Sequence, residues 1–216
     1  MQEVFCTVKD WFNWRWLWSK EGTVEAEHQE LTKRLGWECT DVLYSFLGLY
    51  TIGLLAFYPQ EFRLSCGGFQ VRFKDRDRAR QSPYSFKFLY ESYPQYPELN
   101  KEVKKFLMSY QRIGNVYPIW PGGNKDKGTS SVYDLPDFYF RKHPEWSRVL
   151  LDKYPEAHLE SVIDLENTET IESFLEQIAS PTGKERYKQF LEGVCSVIAN
   201  REEAILTYAG EHGFNV

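Results

Sequence analysis

VLYSFLGLYTIGLLAFY, from Val42 to Tyr58, decides the fold: 17 residues without a charge, bounded by Asp41 and Pro59. That length sits at the lower edge of a membrane-spanning helix. Ser45, Thr51 and two glycines interrupt it, and neither a second span nor a basic flank accompanies it. The topology signals of a membrane protein are therefore missing. The run reads instead as a buried central helix over 42–57, with Asp41 as its N-cap and Pro59 as its stop. No membrane partner is expected.

Working outward, Phe62–Phe73 (FRLSCGGFQVRF) alternates apolar and polar residues on both sides of Gly67-Gly68. Two glycines supply the positive φ angles of a tight two-residue turn, so a β-hairpin is expected. Thr23 is placed to cap a helix running to about Leu35. Pro97-Glu98 starts another to about Arg112, with Val103, Phe106, Leu107 and Tyr110 at core spacing. Val4–Val8 is short and β-prone. The segment 113–137, rich in Gly, Pro and Asn, reads as a long ordered loop, a kind that is uncommon unless functional. Helices are predicted at about 137–143, 145–153, 156–164, 168–179 and 184–209. The fold class is therefore mainly α (α+β): a single helical domain over 1–216 with a small antiparallel β-hairpin. An acidic helical C-terminal subdomain at 145–216 is the alternative division.

Charge divides along the same line. The 216 residues carry 26 basic and 31 acidic groups, net −5. Residues 1–144 hold 20 basic against 17 acidic, net +3, and residues 145–216 hold 6 against 14, net −8. An acidic chain disfavours a dedicated nucleic-acid-binding domain. A local basic knot nonetheless gathers Arg63, Arg72, Lys74, Arg76, Arg78, Arg80 and Lys87 around only Asp75 and Asp77. It is expected to be a solvated loop paired internally with the acidic C-terminal third. Cys6, Cys39, Cys66 and Cys195 show no C-x-x-C spacing, so free thiols in a reducing cytoplasm are expected. No secretory h-region is visible at the start of the sequence. No cofactor and no metal is expected.

Two places concentrate unusual residues. Trp11, Trp14, Trp16 and Trp18 crowd eight positions with a spacing that fits neither a clean helix nor a clean strand. Four indoles are too costly to leave in water, so they pack on the core or on a partner. The second is Tyr110–Tyr139. There Gly114 suits a left-handed helix C′ position, and Pro118 and Pro121 stiffen the chain around Trp120. Gly122-Gly123-Asn124 lets successive N–H groups form an anion-binding concavity, reinforced by Lys125 and Lys127. It is not a P-loop: Gly123-Asn-Lys-Asp-Lys-Gly128-Thr129 lacks the Lys before Thr129 and the preceding strand.

The Tyr-x-x-Ile-Gly-Asn core of this segment is followed by Pro, a Gly-Asn turn, Lys-Gly and an Asp-Leu-Pro helix start. That order resembles a motif in an uncharacterised bacterial (Firmicutes-type) family, a domain of unknown function. The resemblance implies a bacterial or phage cytoplasmic origin and no known activity.

Other constellations are incomplete. Glu25-x-x-His28 matches one half of a di-iron ligand set, which needs a second such pair and two further glutamates. No G-x-S-x-G or H-E-x-x-H occurs. His143 could meet only a distant thiol such as Cys66. Catalytic residues stay unassigned, and with them whether the protein is an enzyme. The expected function is a cytoplasmic bacterial binding or interaction protein that uses the Trp-rich N-terminal surface (Trp11, Trp14, Trp16, Trp18) against a protein partner. The alternative is an enzyme or sensor for a phosphate-bearing small molecule or nucleotide. There Arg112, Asn115, Asn124, Lys125 and Lys127 would hold the anion, Trp120 would stack on a ring, and Asp134 or Asp137 would orient the ligand.

Overall fold

A computed structural model describes residues 24–65, 70–110, 112–130, 135–153, 162 and 170–214. In chain order the described elements are α1 (Val24–Arg34), β1 (Thr40–Val42), α2 (Phe46–Phe57), β2 (Phe62–Leu64) and β3 (Val71–Phe73). Next come α3 (Phe86–Ser92), α4 (Pro97–Tyr110), a 3-10 turn (Ile113–Asn115), β4 (Val116–Pro118) and α5 (Gly123–Ser130). The chain continues through α6 (Pro136–Lys142), α7 (Pro144–Lys153), α8 (Ile171–Ile178) and α9 (Gly183–Glu211). The protein is mainly helical, with two small antiparallel pairs, β1–β4 and β2–β3.

Every residue of α2 is buried, as a helix apolar on all sides requires. Its one mid-helix hydroxyl, Thr51, donates back to the Leu47 carbonyl at 2.8 Å and so enters the core satisfied. Among the described residues no helix is long and apolar enough to cross a membrane. The N-cap differs from expectation. Ser45, in extended geometry, accepts the Gly48 N–H at 2.9 Å, while Asp41 lies in β1. Pairing of β1 with a distant strand holds residues 40–42 extended, so the helix starts late.

The spine of the core is α9. Tyr187, Leu191, Val194, Ile198, Arg201, Ile205 and Ala209 are buried along it at three- and four-residue spacing. It packs on α2, α4, α8 and the Ile113–Asn115 turn. The Tyr187 hydroxyl donates to the Leu49 carbonyl at 2.8 Å, joining the two central helices.

In the hairpin Phe62 faces Phe73, Arg63 faces Arg72 and Leu64 faces Val71. That register centres on Gly67-Gly68, which lie outside the described residues. Phe62 and Phe73 turn inward against each other and against Phe88 of α3. The outward residues are described below. Val4–Val8, the Trp11–Trp18 cluster, the Thr23 cap, the expected helix at 156–164 apart from Val162, and the Glu25–His28 side chains also lie outside what the structure describes.

The segment 113–137 is not one loop. It is the 3-10 turn, the strand β4 and the helix α5 before α6 begins at Pro136. Thr40, Asp41 and Val42 pair with Pro118, Tyr117 and Val116. The ladder is extended by Leu43 N–H to Asn115 C=O at 2.8 Å and Ile119 N–H to Cys39 C=O at 2.9 Å. Composition pointed to a loop because a proline ends, and another follows, a three-residue strand whose partner lies far back in the sequence.

Candidate functional site

The residues singled out between 112 and 137 fall in two groups, one inside the protein and one on its surface. Asn115 is fully buried. Its amide accepts the Tyr44 N–H at 3.0 Å and donates to the Tyr44 carbonyl at 3.2 Å and the Tyr110 carbonyl at 2.8 Å. One side chain thus closes the C-terminal end of α4 and the chain leading into α2. Buried backbone groups need such partners, and an Asn has the acceptor and two donors to supply them.

Lys127 is 4% exposed. α5 carries it back beneath β1, where its ammonium forms an ion pair with Asp41 and donates to the Val42 carbonyl at 3.3 Å. The ammonium also lies 5.5 Å from the centroid of the Tyr139 ring, a cation–π distance. Asp137, equally buried, accepts from the Tyr44 hydroxyl at 3.2 Å and from the Val162 N–H at 2.8 Å.

Arg201 of α9 completes the cluster, donating to the carbonyls of Gly114 and Val116. Burial raises the Tyr44 hydroxyl well above the usual tyrosine range, Asp137 raises it further, and Arg201 works against them. Tyr44 therefore stays protonated and donates. Strands β1 and β4 and helices α5, α6 and α9 are cross-linked through these few polar groups.

Gly114 serves a different purpose from the expected one. Its φ is not positive among the described glycines; those with positive φ are Gly36, Gly122 and Gly213. A Cβ on Gly114 would lie 1.9 Å from the Ile198 carbonyl oxygen and 2.8 Å from the Glu202 nitrogen. The glycine is there for close approach to the α9 backbone, and this approach lets Arg201 reach the carbonyls around it.

The surface group is smaller. Arg112 is exposed and pairs with Glu202 at 2.8 Å, and Lys125 is exposed on α5. Trp120 is half-buried. Its indole N–H donates to Asp126 at 3.1 Å and its ring lies 5.0 Å from Trp146. In the Gly122–Gly123 turn the N–H groups of Gly123, Lys125 and Asp126 already bond to Trp120 and Gly122 carbonyls. The side chain of Asn124 and all of Asp134 lie outside the described residues.

Chemically, the inner cluster holds two cations and two carboxylates whose described bonds run to the chain's own carbonyls, hydroxyl and amides. A ligand would have to displace those bonds to reach it. Among the described residues no group of three or more His, Cys, Asp or Glu side chains is placed to hold a metal ion. Burial pushes the Cys195 thiol up, away from the thiolate a nucleophile needs. His143 stacks on Trp146 at 4.3 Å with Nδ1 3.2 Å from Glu145, and its expected companion Cys66 lies outside the described residues.

Sequence reading missed Arg201 and Tyr44. Arg201 had a signal: it interrupts the apolar stripe Val194, Val197, Ile198 and Ile205 with a cation. Tyr44, inside the uncharged run, had none. Comparison with known proteins finds no matching family model, no matching curated protein and no matching solved structure.

Proposed function

We propose that this chain is a binding or interaction protein of the bacterial cytoplasm, which engages a protein partner through the tryptophan-rich segment 11–18. One observation carries the reading: Asn115 and Lys127, the residues best suited to hold an anion, are turned inward and bonded to the backbone and to Asp41. Arg112 and Lys125 remain at the surface without those two beside them. The competing reading, a site for a phosphate-bearing small molecule, thereby loses its convergent ligand set. The tryptophan cluster sets four indoles in eight residues, apolar area of the kind that anchors protein interfaces.

The test compares the wild-type chain with W11S/W14S/W16S/W18S. Cross-linked partners are captured from the source cell and the complex is then rebuilt from purified components. The expected result is a reconstituted complex that the variant fails to form while its melting midpoint stays within about 2 °C, less than about 1 kcal/mol for a chain of this size. A variant that binds as well as wild type, or that unfolds, refutes the interface. So does a thermal shift with nucleotides or phosphorylated metabolites that Lys125→Ala abolishes. At a hundredfold excess over Kd such a ligand would stabilise the protein by about 2.7 kcal/mol.

A further inference from the structure

Among the described residues the basic knot around the hairpin forms no ion pair with the acidic C-terminal third. Among the described residues no carboxylate lies within ion-pair distance of Arg63, Arg72, Lys74, Arg76, Arg80 or Lys87. We propose that the outer face of the β2–β3 hairpin and the connector 74–82 form a docking surface for the phosphodiester backbone of a nucleic acid, bound without regard to base sequence.

Strand geometry makes the case. Phe62 and Phe73 point inward, so their neighbours Arg63 and Arg72 point outward, directly opposite one another. The flanking bonds, Lys74 N–H to Glu61 C=O at 2.8 Å and Ser65 N–H to Gln70 C=O at 2.7 Å, make 63 and 72 a hydrogen-bonded pair. In such a pair the Cα atoms stand about 5.5 Å apart. Like charges directly opposite on one sheet face are destabilising. Among the described residues no carboxylate on this face neutralises them: Arg63 donates to its neighbour's carbonyl and Arg72 to Gln70. Lys74 continues the same face, and the carboxylate opposite it, Glu61, accepts from the Tyr96 hydroxyl at 3.2 Å. In the connector Lys74, Arg76 and Arg80 are exposed, while Asp75 accepts the Asp77 N–H in a local turn.

The chemistry of the face selects the occupant. A protein interface is anchored by apolar side chains at its centre with charges at the rim. The exposed large apolar residues among those described, Tyr90, Met108 and Leu151, all lie outside the hairpin and connector. Phosphodiesters need only cations, and arginine, the majority here, bonds phosphate in a bidentate fork. The chain's net −5 does not oppose this at working salt, where charges beyond about 10 Å are screened. The proposal rests on residues 61–82 and stands or falls independently of the reading of the tryptophan segment.

The test is fluorescence anisotropy of the full chain with a labelled mixed-sequence single-stranded oligonucleotide of about 20 residues between 50 and 200 mM salt. Five phosphate contacts (Arg63, Arg72, Lys74, Arg76, Arg80) give a log–log salt slope of about −3.5, at about 0.7 per contact. Affinity then falls about a hundredfold across that range. Arg63→Gln/Arg72→Gln is expected to flatten the slope to about −2 and to leave the melting midpoint equal or higher, since it relieves the opposed charges. If that variant misfolds, Arg76→Gln/Arg80→Gln on the exposed connector replaces it, with the same expected slope. No binding at 50 mM salt, or an unchanged slope in a folded variant, overturns the proposal. Equal displacement of the oligonucleotide by polyglutamate or by phosphatidylserine vesicles also overturns it, in favour of an acidic protein or a membrane surface.

Discussion

Replacing Asn115 tests the architecture at the point where sequence reading and structure part most sharply. Asn115→Ala removes the partner of three buried backbone groups, the Tyr44 N–H, the Tyr44 carbonyl and the Tyr110 carbonyl. Each orphaned group costs about 1–3 kcal/mol, with the N–H at the upper end and the carbonyls lower because each keeps a second lone pair. Allowing for relaxation and an entering water, the expected loss is about 3 kcal/mol. In a chain of this length that lowers the melting midpoint by about 6–12 °C. Asn115→Asp is the sharper probe. It keeps the shape and the acceptor for Tyr44 N–H but sets a carboxylate oxygen against two carbonyls. Its loss should equal or exceed that of the alanine. Urea unfolding at pH 7, followed by far-UV circular dichroism, reads both variants, with an unchanged m-value required for a clean comparison. Losses below about 1 kcal/mol for both would refute the clamp and return Asn115 to the pool of candidate ligands.

Gly114→Ala should be more damaging than an ordinary small-to-large change. Its Cβ would meet backbone atoms of Ile198 and Glu202, which cannot rotate away. The expected cost is about 3 kcal/mol or more, at the top of the overpacking range, measured in the same urea series. Lys127→Met breaks the pair with Asp41 inside the protein and should cost about 3–5 kcal/mol. Lys125→Ala, on the exposed side of the same helix, should stay within about 0.5 kcal/mol. Equal effects at 125 and 127 would contradict the described helix orientation. Alkaline stability follows from the tyrosines. Burial raises Tyr44, Tyr50 and Tyr187, and Tyr96 is pushed up to about 12, by burial first and then by Glu61. Their folded values lie above the unfolded one, so the stabilisation is complete below pH 10 and is lost as pH rises. Each group still protonated in the fold steepens the loss by about 1.4 kcal/mol per pH unit. The part of the tyrosinate absorbance at 295 nm that belongs to these four side chains should appear together with unfolding rather than before it.

What could be read in advance was what depends on neighbours in sequence. The uncharged run over Val42–Tyr58 became the buried α2, and the alternation around Gly67-Gly68 fixed the observed hairpin register. The start of α2 was misplaced because Asp41 answers to Tyr117, a partner far along the chain, before it answers to local capping rules. Lys127 and Asn115 looked like ligand-binding residues for the same reason. Lys and Asn in a Gly-rich stretch suit an anion, and they equally suit carbonyls and a carboxylate delivered by a strand that no local pattern announces. Gly114 shows how one residue type serves two physical needs. Local sequence suggested a left-handed turn, whereas the α9 backbone imposed contact.

The position of α9 has a consequence for how the chain comes into being. Helix α2 ends at Phe57 and its covering partner α9 begins only at Gly183. The ribosome must add the intervening 125 residues first, which at about 5–20 residues per second takes about 6–25 s. During that interval α2 is only partly covered, by the hairpin and α4, which are made before α9. The side that α9 will occupy stays bare until translation passes Gly183, so the nascent chain depends on whatever else in the cell shields that side of a greasy helix. Slow translation of residues 58–182 therefore lengthens the time for which this face stands open to misassociation.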